Sequence, residues 1–278
     1  MKNLENKIGI STACFYPELT EKAFDEICKL DVRICEIFIN TSSEAKIDYL
    51  REIKLKADDN NIKIVSLHPY FTGYEPFLFF SDYDKRRLFD GVDLYRQFFE
   101  AAQFFEAAQF LGSEYVIFHG IAGTQNNHIR MSDEYSERFL LVASEAKKYD
   151  CELLHENLGR INEHIQDLSK DIRFTLDFKH AVHWGYDILE IIEKMGENIA
   201  HIHFNDMVAD YNSLDPVNRV KNCKLPFAGG LDYKKIFDKL KDINYIGSFI
   251  IEVYKNSYKN ITEISESIEK FRRFLKNI

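Results

Sequence analysis

The sequence predicts an α/β protein that forms a single (β/α)8 barrel over residues 1–278. Eight short runs of β-branched and aromatic residues alternate with stretches whose apolar residues recur three and four positions apart. No linker-like tract of Pro, Gly and Ser divides the chain. No glycine-rich phosphate loop follows the first run, and such a loop is typical of the alternative, an open doubly wound sheet.

The eight predicted strands are spread along the whole chain. They span residues 7–12, 32–39, 62–68, 114–120, 151–157, 173–178, 199–206 and 248–254. Helical periodicity between them is clearest in ELTEKAFDEICKL, DEYSERFLLVASEAKKYD and DYKKIFDKLKDI. A fourth helical stretch, YDILEIIEKMG, ends on a glycine stop signal. Strands and helices that alternate in this way are expected to close into one barrel.

Composition and charge argue against several classes of protein. The net charge is −9 at pH 7, so nucleic acid is not expected as a partner. No apolar run approaches the roughly 18 residues that span a bilayer, and the first residues lack the apolar core of a signal peptide. Five scattered cysteines without a CxxC pair indicate reduced thiols. We therefore expect a cytoplasmic protein with no membrane partner.

Two local features point to structure rather than to chemistry. The segment FFEAAQFFEAAQF repeats six residues at positions 98–109, and six residues turn a helix by roughly 600°, so the two copies face about 120° apart. The buried stripe predicted for this helix consists of Leu94, Phe98, Ala101, Phe105 and Ala108. The aromatic segment at residues 70–80 has three possible roles: a lid over a ligand, a subunit interface, or part of the core.

Candidate site residues occupy the ends of the predicted strands. Active sites of (β/α)8 barrels lie at the C-terminal ends of the strands, and every strand from the third onward ends in a potential metal ligand or acid/base. These residues are His68, His119, Glu156, Asp177, His203 and Glu252. Carboxylates and histidines without cysteine suit Mn²⁺, Mg²⁺, Co²⁺ or Zn²⁺. The pattern predicts a divalent metal site at this end of the barrel.

Strand periodicity separates the candidates from their neighbours. Successive side chains alternate sides, so an inward Glu156 places His155 outward among the helices. His201 shares the face of His203 but lies roughly 6.6 Å deeper, where we expect it to orient a carboxylate. His180, just past the end of the sixth strand, is expected to lean over the same mouth.

These motifs resemble those of the xylose isomerase-like TIM-barrel superfamily, which includes sugar and sugar-phosphate isomerases and epimerases, inosose-type enzymes and the family 2 abasic-site endonucleases. In chain order they are SLHPY, IFHG, LLHENLG, TLDFKHA, IAHIHFND, LPFAGGLDY and IIEVY, and the resemblance covers essentially the whole chain. It implies one divalent metal ion, Mn, Zn, Co or Mg. The metal ligands that it implies are Glu156, Asp177, His203 and Glu252.

The resemblance also assigns the remaining histidines. His180 matches the D-x-x-H motif, whose histidine contacts substrate in the isomerases and metal in the endonucleases. His68 and His119 match positions that hold a further zinc ion together with Glu156 in the endonucleases. They are therefore expected to bind substrate or a second ion. The endonucleases' Asp-x-His pair falls on residues 222–224, which read Asn-Cys-Lys, so a trinuclear cluster is not expected.

The function implied by the resemblance is the isomerisation or epimerisation of a sugar, a sugar phosphate or a related polyhydroxy carbonyl compound. Glu156 and Glu252 are the expected catalytic pair: one removes the proton next to a metal-polarised carbonyl and the other returns it, through an enediolate. Two alternatives stay open, an abasic-site endonuclease-like phosphodiester hydrolase and a non-catalytic binding barrel that retains a metal. The sequence also leaves open the identity of the sugar and whether the protein forms a homo-oligomer.

Overall fold

Eight parallel strands close into a barrel in the computed structural model. It describes residues 4–70, 73–80, 86–106, 114–120, 133–159, 161–168, 170, 172–208 and 222–278. The strands are β1 (Ile8–Ser11), β2 (Ile34–Ile39), β3 (Lys63–Pro69), β4 (Tyr115–Phe118), β5 (Glu152–Glu156), β6 (Phe174–Asp177), β7 (Ile199–Phe204), β8 (Asp206–Met207), β9 (Cys223–Lys224) and β10 (Ser248–Ile251). Strands β1 to β7 lie side by side, and β10 pairs with both β7 and β1 to close the barrel. The short strands β8 and β9 form a separate antiparallel pair.

Helices follow the strands and cover the outside of the barrel. They are α1 (Thr20–Ile27), α2 (Ile47–Asp59), α3 (Glu75–Phe79), α4 (Arg86–Glu106), α5 (Asp133–Ala146), α6 (Ile161–Leu168), α7 (Phe178–His183), α8 (Ile188–Met195), α9 (Tyr233–Asp242) and α10 (Ile261–Lys276). Several begin at side-chain caps. Asp187, Asp232 and Asn260 accept backbone hydrogen bonds at the starts of α8, α9 and α10. Gly196 ends α8 with a φ of +54°.

The predicted fold class is confirmed, and all eight predicted strands form. Seven of the eight barrel strands lie within their predicted ranges, and β3 continues one residue further, to Pro69. The four helical stretches identified from periodicity correspond to α1, α5, α8 and α9. No helix in the described ranges is long and apolar enough to cross a membrane.

Strand alternation divides the buried side chains into two sets. On β2, Cys35 and Ile37 join the main core between barrel and helices. Ile34 packs on the opposite face with Val65 and Ile250, in a separate cluster. Burial of each large aliphatic side chain contributes about 1.5–3 kcal/mol relative to exposure. The interior is only partly apolar, because Glu36, Ser66 and His201 are also buried there, below the strand ends.

Part of the aromatic segment at 70–80 belongs to the core. Phe79 and Phe80 are almost fully buried and pack edge-on against Phe118 of β4. Tyr74 and Phe77 are exposed. Phe71 lies outside the described residues. Core packing is therefore the role of the C-terminal end of this segment.

Helix α4 contains the first copy of the six-residue repeat and the first three residues of the second. Phe98, Ala101 and Phe105 are buried, as the predicted stripe requires, and Leu94 is half-buried. Ala108 lies outside the described residues.

Candidate active site

Four of the predicted site residues converge at the C-terminal mouth of the barrel. Glu156 and Asp177 end β5 and β6, His203 is the penultimate residue of β7, and Glu252 directly follows β10. The strand register brings them level, because His203 pairs with Asp177 on one side and with Ile250 on the other. Their candidate ligand atoms lie within 4.8 Å of one another, and all four residues are buried.

The ring of His203 is held between carboxylates. Its Nε2 lies 3.0 Å from Oε2 of Glu36, whereas its Nδ1 faces the other three carboxylates. From Nδ1 the distances are 2.6 Å to Glu156, 3.6 Å to Glu252 and 3.8 Å to Asp177. Burial lowers the pKa of His203, but these carboxylates, led by Glu36, raise it well above its usual range. Nε2–H donates to Glu36, and Nδ1, once it has given up its own proton, is the atom that could bind an ion.

Asp177 presents one oxygen to the protein and the other to the cluster. Its Oδ1 accepts hydrogen bonds from Asn205 Nδ2, at 2.9 Å, and from the backbone N–H of His180, at 3.3 Å. Its backbone N–H donates to Asn157 Oδ1. Its Oδ2 is buried and accepts no hydrogen bond from the described residues, although Lys179 Nζ lies 2.6 Å away. Such an oxygen is oriented to contact a cation.

Lys179 is a site residue that the sequence interpretation missed. It is the second residue of α7, and its Nζ lies 2.6 Å from Asp177 Oδ2 and 2.6 Å from Glu252 Oε2. Its ammonium also lies 5.6 Å from the ring centroid of Tyr254. Burial lowers the pKa of Lys179, but Asp177 and Glu252 raise it well above its usual range. The available signal was a lysine inside the motif TLDFKHA, two residues after a strand-end aspartate.

Glu36 was also missed, because it lies in the middle of β2 rather than at a strand end. It is fully buried and accepts a hydrogen bond from Ser66 Oγ at 2.8 Å. His201 Nε2 and His68 Nδ1 each lie 3.4 Å from its carboxylate. Burial raises the pKa of Glu36, but the histidines, led by His203, lower it well below its usual range. The signal was a lone glutamate in the apolar run ICEIFI. His201 thus lies against a carboxylate, where it was expected.

His68 and His119 form a second group beside the four-residue cluster. Their Nε2 atoms are 2.7 Å apart, and His119 Nε2 lies 3.6 Å from Oε2 of Glu156. Glu75 of α3, which sequence reasoning did not identify, accepts the backbone N–H of His119 and lies 3.3 Å from its Nδ1. Burial lowers the pKa of His68, but nearby carboxylates, led by Glu252, raise it to about 10. The ligand atoms of His68, His119 and Glu156 also lie within 4.8 Å of one another.

Local charge keeps both candidate acid/base carboxylates deprotonated. Burial raises the pKa of Glu156, but His180 and His203 outweigh burial and lower it. Burial likewise raises the pKa of Glu252, and Lys179 and His203 lower it well below its usual range. His180 leans over the mouth as expected, with Nε2 3.6 Å from Glu156 Oε2. Both carboxylates are therefore in the charged form, which can bind a cation or accept a proton.

His155 faces the helices, as strand alternation predicted. Its ring packs edge-on against Phe118 and close to Phe139, and its Nε2 is hydrogen-bonded to the hydroxyl of Tyr135. Burial lowers its pKa to about 4. It therefore belongs to the helix-facing core and contributes no group to the mouth.

A cavity of about 660 Å³ opens at the polar cluster. Its wall combines the side chains of Tyr16, Phe38, Tyr70 and Tyr254 with the polar groups of the strand ends. Aromatic faces beside hydrogen-bonding groups suit a small ligand that has both a ring and polar groups.

A larger cavity, of about 880 Å³, lies at the N-terminal mouth of the barrel. Three of its charged lining residues are in ion pairs: Lys63 with Glu114, and Arg173 with Glu152. The groups of described residues that could hold a metal ion lie at the other mouth. Chemistry is therefore expected at the C-terminal mouth, although the cavity there is smaller.

The residues of the cluster fit a divalent metal ion. Three carboxylates and one imidazole are a donor set used for Mn²⁺, Zn²⁺, Co²⁺ and Mg²⁺, and the buried Asp177 Oδ2 accepts no hydrogen bond from the described residues and already has a cation, the ammonium of Lys179, beside it. A second ion could be held by His68, His119 and Glu156. Residues 222–224 contribute nothing to these groups; Cys223 and Lys224 pair instead with β8.

Comparison with known proteins places the chain in one family. The family model described as xylose isomerase-like TIM barrel matches residues 24–276. An uncharacterized protein of Methanocaldococcus jannaschii is 25% identical over 292 residues, which cover 98% of this chain and 90% of that protein. An inosose dehydratase of Clostridium perfringens is 25% identical over 143 residues, 44% of this chain and 46% of its own. The crystal structure of a D-tagatose 3-epimerase-like protein has the same fold, with a TM-score of 0.75, 19% identity and 98% coverage of both chains.

Proposed function

Because the chain belongs to the xylose isomerase-like TIM-barrel family, we propose that it is a metal-dependent enzyme that isomerises or epimerises a sugar or a related polyhydroxy carbonyl compound. The observation that carries the proposal is the buried cluster of Glu156, Asp177, His203 and Glu252, with candidate ligand atoms within 4.8 Å of one another. The names of two relatives, inosose dehydratase and D-tagatose 3-epimerase-like protein, support a carbohydrate substrate.

In this proposal the same four residues hold a divalent ion, Mn²⁺, Zn²⁺, Co²⁺ or Mg²⁺. A bound ion of this kind supplies Lewis-acid polarisation of a carbonyl oxygen. Glu36 fixes His203 through its Nε2, and Asn205 fixes Asp177 through Oδ1, so that Nδ1 and Oδ2 face the cluster. Outer hydrogen bonds of this kind orient the ligating atoms before any ion binds.

Proton transfer is assigned to Glu156 and Glu252. One carboxylate removes the proton from the carbon next to the substrate carbonyl and later releases it to solvent, and the other takes up a proton from solvent and delivers it to the opposite face or to the neighbouring carbon. Both are deprotonated in the folded protein because adjacent cations lower their pKa values. His180, His68 and His119 line the same cavity and position the substrate hydroxyls.

A dehydratase is the second candidate, because the relative from Clostridium perfringens is an inosose dehydratase. Removal of water next to a carbonyl begins with the same proton abstraction, so the same two glutamates would serve. Phosphodiester hydrolysis of abasic DNA ranks lower. Residues 222–224 offer no Asp-x-His pair, and the net charge of −9 disfavours binding to phosphate backbones.

The test is solvent deuterium exchange by metal-loaded protein. Purified protein is loaded with Mn²⁺, Zn²⁺, Co²⁺ or Mg²⁺ and incubated in D₂O with ketoses, inososes and hydroxypyruvate, and deuterium next to the carbonyl is measured by NMR. We expect exchange into one ligand class, and a loss of about 100-fold or more in both E156Q and E252Q. Net loss of water from the ligand would identify a dehydratase.

The matched control is E145Q. Glu145 is a buried glutamate of α5 that pairs with Arg96 and Lys148, away from the cluster. It should leave exchange unchanged. Full exchange in both E156Q and E252Q would refute the assigned roles, and the absence of exchange in every metal-loaded preparation would refute the proposed reaction.

A further inference from the structure

We propose that Lys179 is an internal counter-cation that weakens metal binding, because its ammonium and a divalent ion compete for the charge of Asp177 and Glu252. The inference rests on the proposed metal site and concerns how tightly that site holds its ion.

The position of the ammonium carries the first step. Lys179 Nζ lies 2.6 Å from Asp177 Oδ2 and 2.6 Å from Glu252 Oε2. The same two oxygens face His203 Nδ1, at 3.8 Å and 3.6 Å. The ammonium therefore contacts the oxygen atoms that the cluster presents to an ion, rather than the oxygens turned towards the protein.

The contrast within Asp177 makes this specific. Its Oδ1 is occupied by Asn205 and by the backbone of His180. Its Oδ2 accepts no hydrogen bond from the described residues and has the ammonium of Lys179 beside it. The lone pairs that Asp177 leaves open are those of Oδ2, so a bound ion and the ammonium would draw on the same oxygen.

Charge and burial explain why a cation is needed there. Glu156, Asp177 and Glu252 place three carboxylates in a site removed from water, where unpaired charge is costly. Lys179, itself only 7% exposed, offsets part of that charge in the metal-free protein. A divalent ion on the same oxygens is repelled by the ammonium if Lys179 stays in place, and if Lys179 swings away its ion pairs with Asp177 and Glu252 are lost; either way metal binding is weakened. Replacing Lys179 with a neutral residue should therefore raise the affinity for a divalent ion and lower the thermal stability of the metal-free protein.

The experiment compares wild type with Lys179→Met and Lys179→Arg after chelator treatment. Mn²⁺ and Zn²⁺ are titrated calorimetrically at one pH, and the thermal midpoint of each metal-free protein is recorded. We expect Lys179→Met to bind Mn²⁺ about tenfold tighter or more, and to melt at a lower temperature than wild type without metal. Lys179→Arg, which keeps the charge, should show no tightening.

Lys63→Met serves as the matched control, because it removes a paired lysine at the opposite mouth of the barrel. It should leave metal affinity unchanged. If Lys179→Met does not fold, Lys179→Gln removes the same charge while keeping a hydrogen-bond donor, and it should show the same tightening.

Two results separate this inference from the proposed function. If wild type binds Mn²⁺ or Zn²⁺ and the neutral variants bind it equally or more weakly, Lys179 is not a competing cation, and the metal site stands. If neither wild type nor any variant binds either ion, both the metal-dependent function and this inference are refuted.

Discussion

Replacing Glu36 with glutamine tests whether this buried carboxylate sets the orientation of the candidate ligand His203. Glu36 Oε2 lies 3.0 Å from His203 Nε2, which holds the proton on Nε2 and leaves Nδ1 towards the cluster. A glutamine side chain has the same shape but can donate its NH₂ to the ring. That donation favours the tautomer with a proton on Nδ1, and a protonated nitrogen cannot bind an ion.

The size of the effect follows from the contacts of Glu36. Loss of an outer hydrogen-bond partner of a ligating histidine typically weakens metal binding by about 10–100-fold, which corresponds to about 1.4–2.8 kcal/mol. Ser66 and two further histidines, His201 and His68, also lie within 3.4 Å of this carboxylate. E36Q removes the negative charge that Ser66, His201 and His68 all face. We therefore expect metal affinity to fall by about 100-fold, the upper end of this range.

The assay combines a binding measurement with a direct view of the ring. Mn²⁺ is titrated into chelator-treated wild type, E36Q and the control E145Q by calorimetry. Histidine-labelled protein is loaded with diamagnetic Zn²⁺ and examined by long-range ¹⁵N NMR, with His203 assigned by substitution. An affinity of E36Q within about threefold of wild type, with the His203 proton still on Nε2, would refute the reasoning.

Glu36, Glu75 and the cysteines give three more testable predictions. The folded-state pKa of Glu36 lies well below its ordinary 4.5, so the stability it contributes is complete above about pH 4.5 and is lost as pH falls through the folded value; the difference in unfolding free energy between wild type and E36Q should shrink below pH 4.5 in urea titrations. Both oxygens of Glu75 accept hydrogen bonds, from backbone N–H groups and a tyrosine hydroxyl. In E75Q the amide oxygen can still accept the backbone N–H groups, but the negative charge that strengthens these hydrogen bonds is lost, so E75Q should lower the unfolding free energy by about 1–3 kcal/mol. Burial raises the pKa of Cys223 to about 12, whereas Cys28 is partly exposed; iodoacetamide at pH 8 should label Cys28 first, as measured by mass spectrometry.

Each of these outcomes has a result that would contradict it. A pH-independent difference for E36Q would show that Glu36 is not stabilised in its charged form. The exposed Glu100 of α4 supplies the control for Glu75, since E100Q should leave stability within about 0.5 kcal/mol. Equal unfolding free energies of E75Q and E100Q would contradict a stabilising role for the hydrogen bonds of Glu75. Labelling of Cys223 as fast as Cys28 in native protein would contradict its burial.

The barrel and the positions of its strand-end residues could be predicted from the sequence because both depend on local patterns. A short run of β-branched residues such as IKIVSLH predicts a strand, and the turn signal that follows the run predicts where the strand ends. Fold class then fixes which end carries chemistry. For this reason His68, Glu156, Asp177, His203 and Glu252 could be identified from the sequence alone.

The residues that the sequence did not reveal act across the barrel. Glu36 and His203 are 167 positions apart, and their contact exists only because the sheet closes with the observed register. Lys179 is adjacent to a predicted ligand, but its direction depends on how α7 leaves β6 and on Glu252, 73 positions away. Periodicity assigns a side chain to a face, whereas closure of the barrel decides which charges meet on that face. The sequence alone thus determined the strands and the candidate ligands at their ends, and the tertiary structure decided which carboxylate contacts His203 Nε2 and which ammonium contacts Asp177 and Glu252.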